Sequence, residues 1–301
     1  MKMTAQKSSY GLSILSWNVG FSQHGKLPIS PLKFTRSLFA LAKNENSVRC
    51  REMADVLRGL NCDLYSLQEV CSASILNSWT PVRKIVSHAL PHHREFFLED
   101  FRACILRNQC AASHGQSLYS RFPLHHESNL GLDQVRSINP VHRLKRASAK
   151  LVRLSLPGSG QQVTVISVHL AAVEDLRGTK RNQFRRIMEA ASSEFANGRE
   201  VIVCGDFNYE ILCGPDGPNT RSNKTSVTPF PRGDLPDGWV LTPGSGVLKS
   251  SEAADEFTTE LGSIVDGFIV SPNLSFERVE IVKGSLLLSD HPAFRVFIKR
   301  H

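Results

Sequence analysis

Apolar runs alternate with polar segments along the chain, and six of the runs end on a residue able to carry chemistry. They are SILSWN at Asn18, LYSLQE at Glu69, VTVISVH at His169, VIVCGDFN at Asp206 and Asn208, SIVD at Asp266, and LLLSDH at Asp290 and His291. Short apolar runs of this kind read as strands, the first over 11–18. Residues 20–44, with Gly20, Gly25, Pro28 and Pro31, read as a connection holding a short helical piece around SLFALAK. Met53, Val56, Leu57 and Leu60 recur at helical spacing and predict an amphipathic helix that stops near Gly59 and feeds a strand over 63–70. A second helical stretch over 72–90 is interrupted by Pro81, and β-type runs follow near 94–98, 101–107 and 116–122.

Residues 123–146 read as a long polar excursion, followed by strands over 147–156 and 162–169. Phe184, Ile187, Met188 and Phe195 mark a helix over 180–197, with Asn197-Gly198 as its stop, and a strand over 200–205 comes at once. The Gly-, Pro-, Ser- and Asn-rich segment 213–247 is too long for an ordinary connection and reads as a substrate-side or partly mobile loop. Strands near 263–270, 276–283 and 293–299 close the chain. Each half alternates helices with strands ending in polar groups, a pattern that two packed sheets with helices outside accommodate. The expected organisation is a tail over 1–10 and a single domain over 11–301.

Composition narrows the class. A hydrophobic share of 41% and a charged share of 21% are ordinary for a soluble globular protein and argue against long disorder. No apolar run reaches the roughly 18 residues that a membrane helix needs, and no signal peptide is read at the N-terminus, although a mature secreted or effector protein would look the same. Seven cysteines form no CxxC pair, and reduced thiols in a cytoplasmic or nuclear setting are the expectation. The net charge of +8 favours acidic partners, namely nucleic acid, anionic lipid or phosphorylated small molecules, without choosing among them. A monomer is expected.

A carboxylate or imidazole at the tip of a buried strand faces a desolvation cost of roughly several kcal/mol unless a partner awaits it. Taken singly, each acid is a cap or a surface group; six strand-end accidents together are a poor explanation, and one shared site is a better one. Glu69, Asp206 and Asp290, with amide oxygens of Asn18 and Asn208, form an oxygen-rich set suited to a hard cation such as Mg²⁺ or Mn²⁺. Zinc fits less well, because the cysteines are not spaced as ligands. Asp206 and Asn208 lie two apart, so extended backbone turns both to one side, where Asp206 orients or deprotonates a water and Asn208 holds a phosphate oxygen; an Asx turn is the structural alternative. His291 needs an orienting partner other than Asp290, and Asp266 is the candidate, since a carboxylate on one ring nitrogen fixes the tautomer and favours the imidazolium.

These residues resemble the endonuclease/exonuclease/phosphatase superfamily, the DNase I-like fold. The marks are SWN with Asn18, LQEV with Glu69, SLYSRFPL, SVHL with His169, GDFN with Asp206 and Asn208, IVDGFIVS with Asp266, and SDHPAF with Asp290 and His291, in family order. The resemblance implies an α/β (α+β) four-layer αββα sandwich of two mixed sheets flanked by helices, and divalent-metal-dependent hydrolysis of a phosphoester. It implies Glu69 as principal metal ligand, supported by Asn18 and Asp290. Asp206 would handle the water and Asn208 the phosphate, and the Asp266–His291 pair with His169 would bind or protonate phosphoryl oxygens. The chain departs from relatives in which an acid shortly before the SLYSRFPL strand orients a histidine, since Ser113 and His114 stand there. The WCDR-type signature of inositol polyphosphate 5-phosphatases is also missing.

Two basic clusters face the question of substrate: His142, Arg143, Lys145, Arg146 and Lys150, then Arg177, Lys180, Arg181, Arg185 and Arg186. Arg146, just before a strand, is the candidate phosphate contact, whereas the second cluster reads as the solvated face of a helix. Phe21, Phe96 and Phe97 are the aromatics considered for base stacking, with core placement the alternative. A nuclease acting on nucleic acid is the favoured reading. A sphingomyelinase-like or other phospholipid or small-molecule phosphodiesterase or phosphatase is the alternative, for which PFPRGDLPDGW with Phe230 and Trp239 would supply an apolar surface loop. A catalytically inactive binding module on the same fold is the third reading, and the complete set of acid, amide and histidine tips argues against it.

Overall fold

The computed structural model describes residues 11–20, 40–73, 79–106, 109–134, 146–156, 160–172, 175, 177–211, 228–242 and 264–301. In chain order the elements are β1 (Leu12–Asn18), α1 (Ala40–Leu60), β2 (Leu64–Cys71), α2 (Val82–Ala89), β3 (Arg94–Leu106), β4 (Gln109–Ser120), β5 (Leu124–Gly131) and β6 (Ser148–Ser155). They continue with β7 (Gln162–His169), α3 (Thr179–Ala196), β8 (Glu200–Asp206), β9 (Val240–Thr242), β10 (Asp266–Val270), β11 (Leu274–Ile281) and β12 (Phe294–Arg300). The strands form two six-stranded mixed sheets, ordered β11-β12-β1-β2-β4-β3 and β5-β6-β7-β8-β10-β9.

Central strands such as β1 and β8 are buried on both faces, so their two side-chain rows feed two different cores. Leu12 and Ile14 of β1 point between the sheets and pack with Leu64, Val163, Val165, Ile202, Phe268 and Val296. Leu15 and Trp17, on the opposite face, pack under α1 and α2 through Cys50, Met53, Leu57, Val82 and Val86. On the other sheet Ile166, Val168, Val201 and Val203 pack against Phe184, Ile187, Met188 and Ala191 of α3. The layering is therefore αββα.

Followed toward one end of the sandwich, the rows between the sheets change character. Ile14 gives way to Ser16 and Asn18, Leu64 to Ser66 and Gln68, and Val163 and Val165 to Ser167 and His169. Ile202 likewise gives way to Cys204 and Asp206, and Val270 and Phe268 of the antiparallel β10 to Asp266. Where apolar packing ends, hydrogen bonds join the sheets. Ser66 and Ser167 hydroxyls meet at 2.8 Å, Gln68 Nε2 donates to Ser66 Oγ at 2.9 Å, and Ser167 Oγ donates to Gln116 Oε1 at 3.3 Å. Gln116 Nε2 in turn donates to the buried Asp100 carboxylate and to the Ser148 carbonyl. Each bond nets only about 1 kcal/mol, but a buried orphan costs more, so the layer is held as a set.

Several expectations are corrected. The helix expected to occupy 53–60 runs Ala40–Leu60 and takes in the end of SLFALAK, whose first residues lie outside the described ones. Pro81 stands at the N-cap of α2, just ahead of Val82, rather than interrupting the helix, and there its missing N–H breaks no helical hydrogen bond. The runs near 94–98 and 101–107 are one bulged strand, β3, and the 116–122 run belongs to the longer β4. The excursion over 123–146 contains β5, an edge strand exposed along much of its length, which for that reason lacks an apolar alternation. Within 213–247 the described part holds β9 and a short 3₁₀ turn, Arg232–Asp234. The tail 1–10 and residues 21–39, 135–145, 212–227 and 243–263 lie outside the described residues.

Candidate active site

The polar row ends at the C-terminal tips of β1, β2, β7 and β8 and the N-terminal tip of β10. Parallel pairing sets His169 beside Asp206, and antiparallel pairing sets Asp266 opposite Asp206. Asp206, Asp266 and His291 present ligand-type atoms all within 4.8 Å of one another. His169 Nε2 lies 3.6 Å from Glu69 Oε1 and 3.7 Å from Asp206 Oδ2. Asn18 Nδ2 donates to Asp206 Oδ2 at 2.9 Å, so five strands meet at one carboxylate neighbourhood.

Glu69 reaches this neighbourhood through a backbone irregularity. Alternation places Leu64, Ser66 and Gln68 between the sheets and would turn Glu69 outward. The β2–β4 register shifts between Leu67 and Val70, and Glu69 adopts φ +57°, so the bulge brings the carboxylate back to His169. A non-glycine residue held at positive φ costs on the order of 1 kcal/mol, and such outliers cluster at functional sites.

At β8 the close approach is made by Gly205, at φ +140°, where a Cβ would fall 2.0 Å from the Val168 carbonyl oxygen. The next turn corrects the expectation of extended backbone. Asn208 sits at φ +52°, and its amide N–H donates to Asp206 Oδ1 at 2.8 Å, which is the Asx turn. Asn208 Nδ2 donates to the Leu170 carbonyl at 2.9 Å, tying the β8 tip to the β7 tip. The Asp206 carboxylate is thereby held through both oxygens.

The 289–291 segment is pinned to β1. Ser289 Oγ donates to the Asn18 carbonyl at 2.7 Å, and Trp17 Nε1 donates to the His291 carbonyl at 3.0 Å. Asp290 is exposed at the mouth, and Gly20, at φ +52°, leaves the space beside it: a Cβ there would lie 2.9 Å from Asp290 Oδ1. His291 Nδ1 bonds Asp266 Oδ2 at 2.6 Å, the partner expected. Burial opposes charge on the imidazole, but the Asp266 carboxylate and its hydrogen bond, with Asp206 and Asp290 nearby, outweigh it and carry His291 well above the ordinary histidine range. Burial likewise pushes Asp266 up to about 6, against the pull of His291.

The donor atoms gathered here suit a hard divalent cation. Glu69 is partly exposed, Asp290 is open beside the Gly20 cradle, and among the described residues the ligand-type atoms here, other than the two imidazoles, are carboxylate and amide oxygens, which fits Mg²⁺ or Mn²⁺. Asn18 is turned otherwise, its Nδ2 on Asp206 and its Oδ1 accepting from Gly20 N–H at 3.0 Å. Arg146 is exposed; β6–β7 pairing of Lys150 with Ser167 carries the chain toward the His169 end, and the Arg146 amide donates to Asp100 O at 2.6 Å.

Other sequence readings change. In the second cluster Arg177, Arg181, Arg185 and Arg186 are exposed, the solvated face expected, with Arg181 and Arg185 paired to Asp234; Lys180 departs from that reading and is buried. Phe230 and Trp239 are buried against Phe184 and Phe195 rather than forming an apolar surface loop. Phe96 is core, and Phe97 lies under the Arg83 guanidinium; Phe21, His142, Arg143 and Lys145 lie outside the described residues. Ser113 donates to Glu99, while His114 stacks on Phe101. Lys180, expected on the solvated face, and Gln183, which no sequence signal singled out, both turn inward; the pattern 180, 184, 187, 188, 191 puts the lysine on the apolar stripe of α3.

Residues 15–291 match the Endonuclease/Exonuclease/phosphatase family. The chain belongs to that family, whose members are typically phosphoesterase hydrolases. No curated protein matches it in sequence. Among solved structures, the endonuclease/exonuclease/phosphatase from Beutenbergia cavernae DSM 12333 is similar with TM-score 0.65 at 16% identity, over 96% of this chain and 71% of that one. D. rerio TDP2 complexed with single strand DNA product aligns with TM-score 0.59 at 15% identity, over 95% and 98%. The human Nocturnin catalytic domain with bound sulfate anion aligns with TM-score 0.57 at 16% identity, over 96% and 94%. At these identities the likeness is one of fold. No helix among the described residues is long and apolar enough to cross a membrane.

Proposed function

We propose that the chain is a divalent-metal-dependent phosphodiesterase acting on nucleic acid. The observation that carries this reading is the meeting of the Asp266–His291 pair, His169, Glu69 and Asp206 within a few ångströms at one end of the sandwich. Asp206, held by Asn18 and by the Asn208 amide, is the group that orients or deprotonates the attacking water. His291, charged on Asp266, and His169 donate to phosphoryl oxygens as negative charge grows there. Glu69 and Asp290 would hold Mg²⁺ or Mn²⁺, which when bound supplies positive charge to the phosphoryl and leaving oxygens. Asn208 and Arg146 complete the phosphate contacts.

Nucleic acid is favoured because the net charge is +8, because a similar fold carries a single strand DNA product, and because the burial of Phe230 and Trp239 removes the apolar loop that would favour lipid. The test is release of labelled product from single-stranded oligonucleotide and plasmid DNA, compared with sphingomyelin liposomes, in Mg²⁺ and then in EDTA. Cleavage of nucleic acid that EDTA abolishes is the expected result; cleavage of sphingomyelin alone overturns the substrate, and activity undiminished in EDTA overturns the metal.

A further inference from the structure

The helix after His169 sends two polar side chains inward. Lys180 is 1% exposed, and so is Gln183. Lys180 Nζ donates to the Asn208 carbonyl at 3.0 Å and lies 4.4 Å from the centroid of the Tyr209 ring. Gln183 Oε1 accepts from the Ala171 amide at 3.1 Å, and its Nε2 donates to the Asp133 carbonyl at 2.6 Å. The first turns of α3 thus grip the main chain just beyond β5, β7 and β8. A buried ammonium costs several kcal/mol in solvation unless its donors are used, and a methionine would fill the same stripe of α3 without that cost. A lysine kept here is explained by what its charge holds.

What it holds is a left-handed turn at the heart of the site. Asn208 stands at φ +52° with its N–H on Asp206 and its side chain on Leu170, so its conformation fixes both the Asp206 carboxylate and the Asn208 amide. We infer that Lys180 is a positioning residue: its ammonium on the Asn208 carbonyl locks the left-handed turn and so aims Asp206 and Asn208 at the scissile phosphate. This rests on the phosphodiesterase reading above. Lys180 touches no substrate; it acts through Asn208, and Tyr209 supplies the ring on which the ammonium rests.

The test is Lys180→Met and Lys180→Arg, each with steady-state kinetics on oligonucleotide, a thermal melt and a crystal structure. Lys180→Met is expected to lower kcat by about 10²-fold, the loss that a misplacement near 1 Å brings, with KM within about threefold. Its crystal structure is expected to show Asn208 out of the left-handed region. Lys180→Arg, which keeps a donor and can lie on Tyr209, is expected to restore most of the rate. A Lys180→Met protein with an unchanged turn and kcat within about threefold of wild type overturns the inference, as does activity lost only in proportion to the unfolded fraction. Should Lys180→Met fail to fold, Lys180→Gln, a shorter neutral donor, is read by the same criteria. If the wild type cleaves no phosphodiester, the functional reading falls, while the position of Asn208 in the variant still tests the positioning role.

Discussion

At Glu69 one residue both strains the backbone and faces His169, and the two effects can be separated. Glu69→Gly removes the carboxylate and relieves the positive φ, so the melting temperature is expected to hold or rise slightly while hydrolysis falls by about 10²–10³-fold. A fall in both would mean that the carboxylate holds the fold rather than the reaction. Asp266→Asn leaves a group of the same shape beside His291 Nδ1 but withdraws the charge that keeps the imidazole protonated. The expected loss in kcat is on the order of 10²–10⁴-fold, with KM little changed; kinetics on oligonucleotide decide it. Asp266 was legible in the sequence as the partner of His291 because Asp290, the neighbour, points away from it in any strand. The Asn208 turn was not legible, since alternation describes strands and the chain leaves the strand at Asp206.

Between elements, two clamps carry the geometry. Gly205 lets β8 approach β7 so closely that Gly205→Ala would drive a Cβ to 2.0 Å from a backbone oxygen at a φ unsuited to alanine. A loss of at least about 3 kcal/mol in urea unfolding is expected, the upper range for a single substitution. Glu194 of α3 accepts from Arg153 Nε and Nη2 on β6 at 2.8 and 2.7 Å and from Thr164 Oγ1 on β7 at 2.8 Å. Burial raises its pKa, but Arg153, Thr164 and Arg199 outweigh that and the net direction is down. A depressed carboxyl contributes stability that is complete above its unfolded value and is lost as pH falls through the lower folded value. Glu194→Gln is therefore expected to melt below wild type at neutral pH, with the two curves converging in acid. Helix α3 and the strands it covers were legible from periodicity; β5 was not, because an edge strand with one wet face carries no apolar signature.

For the molecule as a whole, the thiols of Cys50, Cys62, Cys71 and Cys204 are buried, with Cys62 pushed up by burial to about 11 and Cys204 to about 12. These four thiols are expected to resist iodoacetamide in the native state and to label together on unfolding, read by mass spectrometry of their peptides. Early labelling of Cys204 would mean that the layer between the sheets opens. The sequence by itself determined which residues are chemically capable and the order of strands that deliver them, because strand periodicity and side-chain type are local properties. Tertiary structure decided the rest: that a bulge turns Glu69 inward, that Asn18 faces Asp206, and that Lys180 leaves solvent for the Asn208 carbonyl. It also decided that Phe230 and Trp239 are core. Each of those outcomes depends on what lies across from a residue when two sheets and their helices close on one another, and that is set by packing between distant segments rather than by neighbours in the chain.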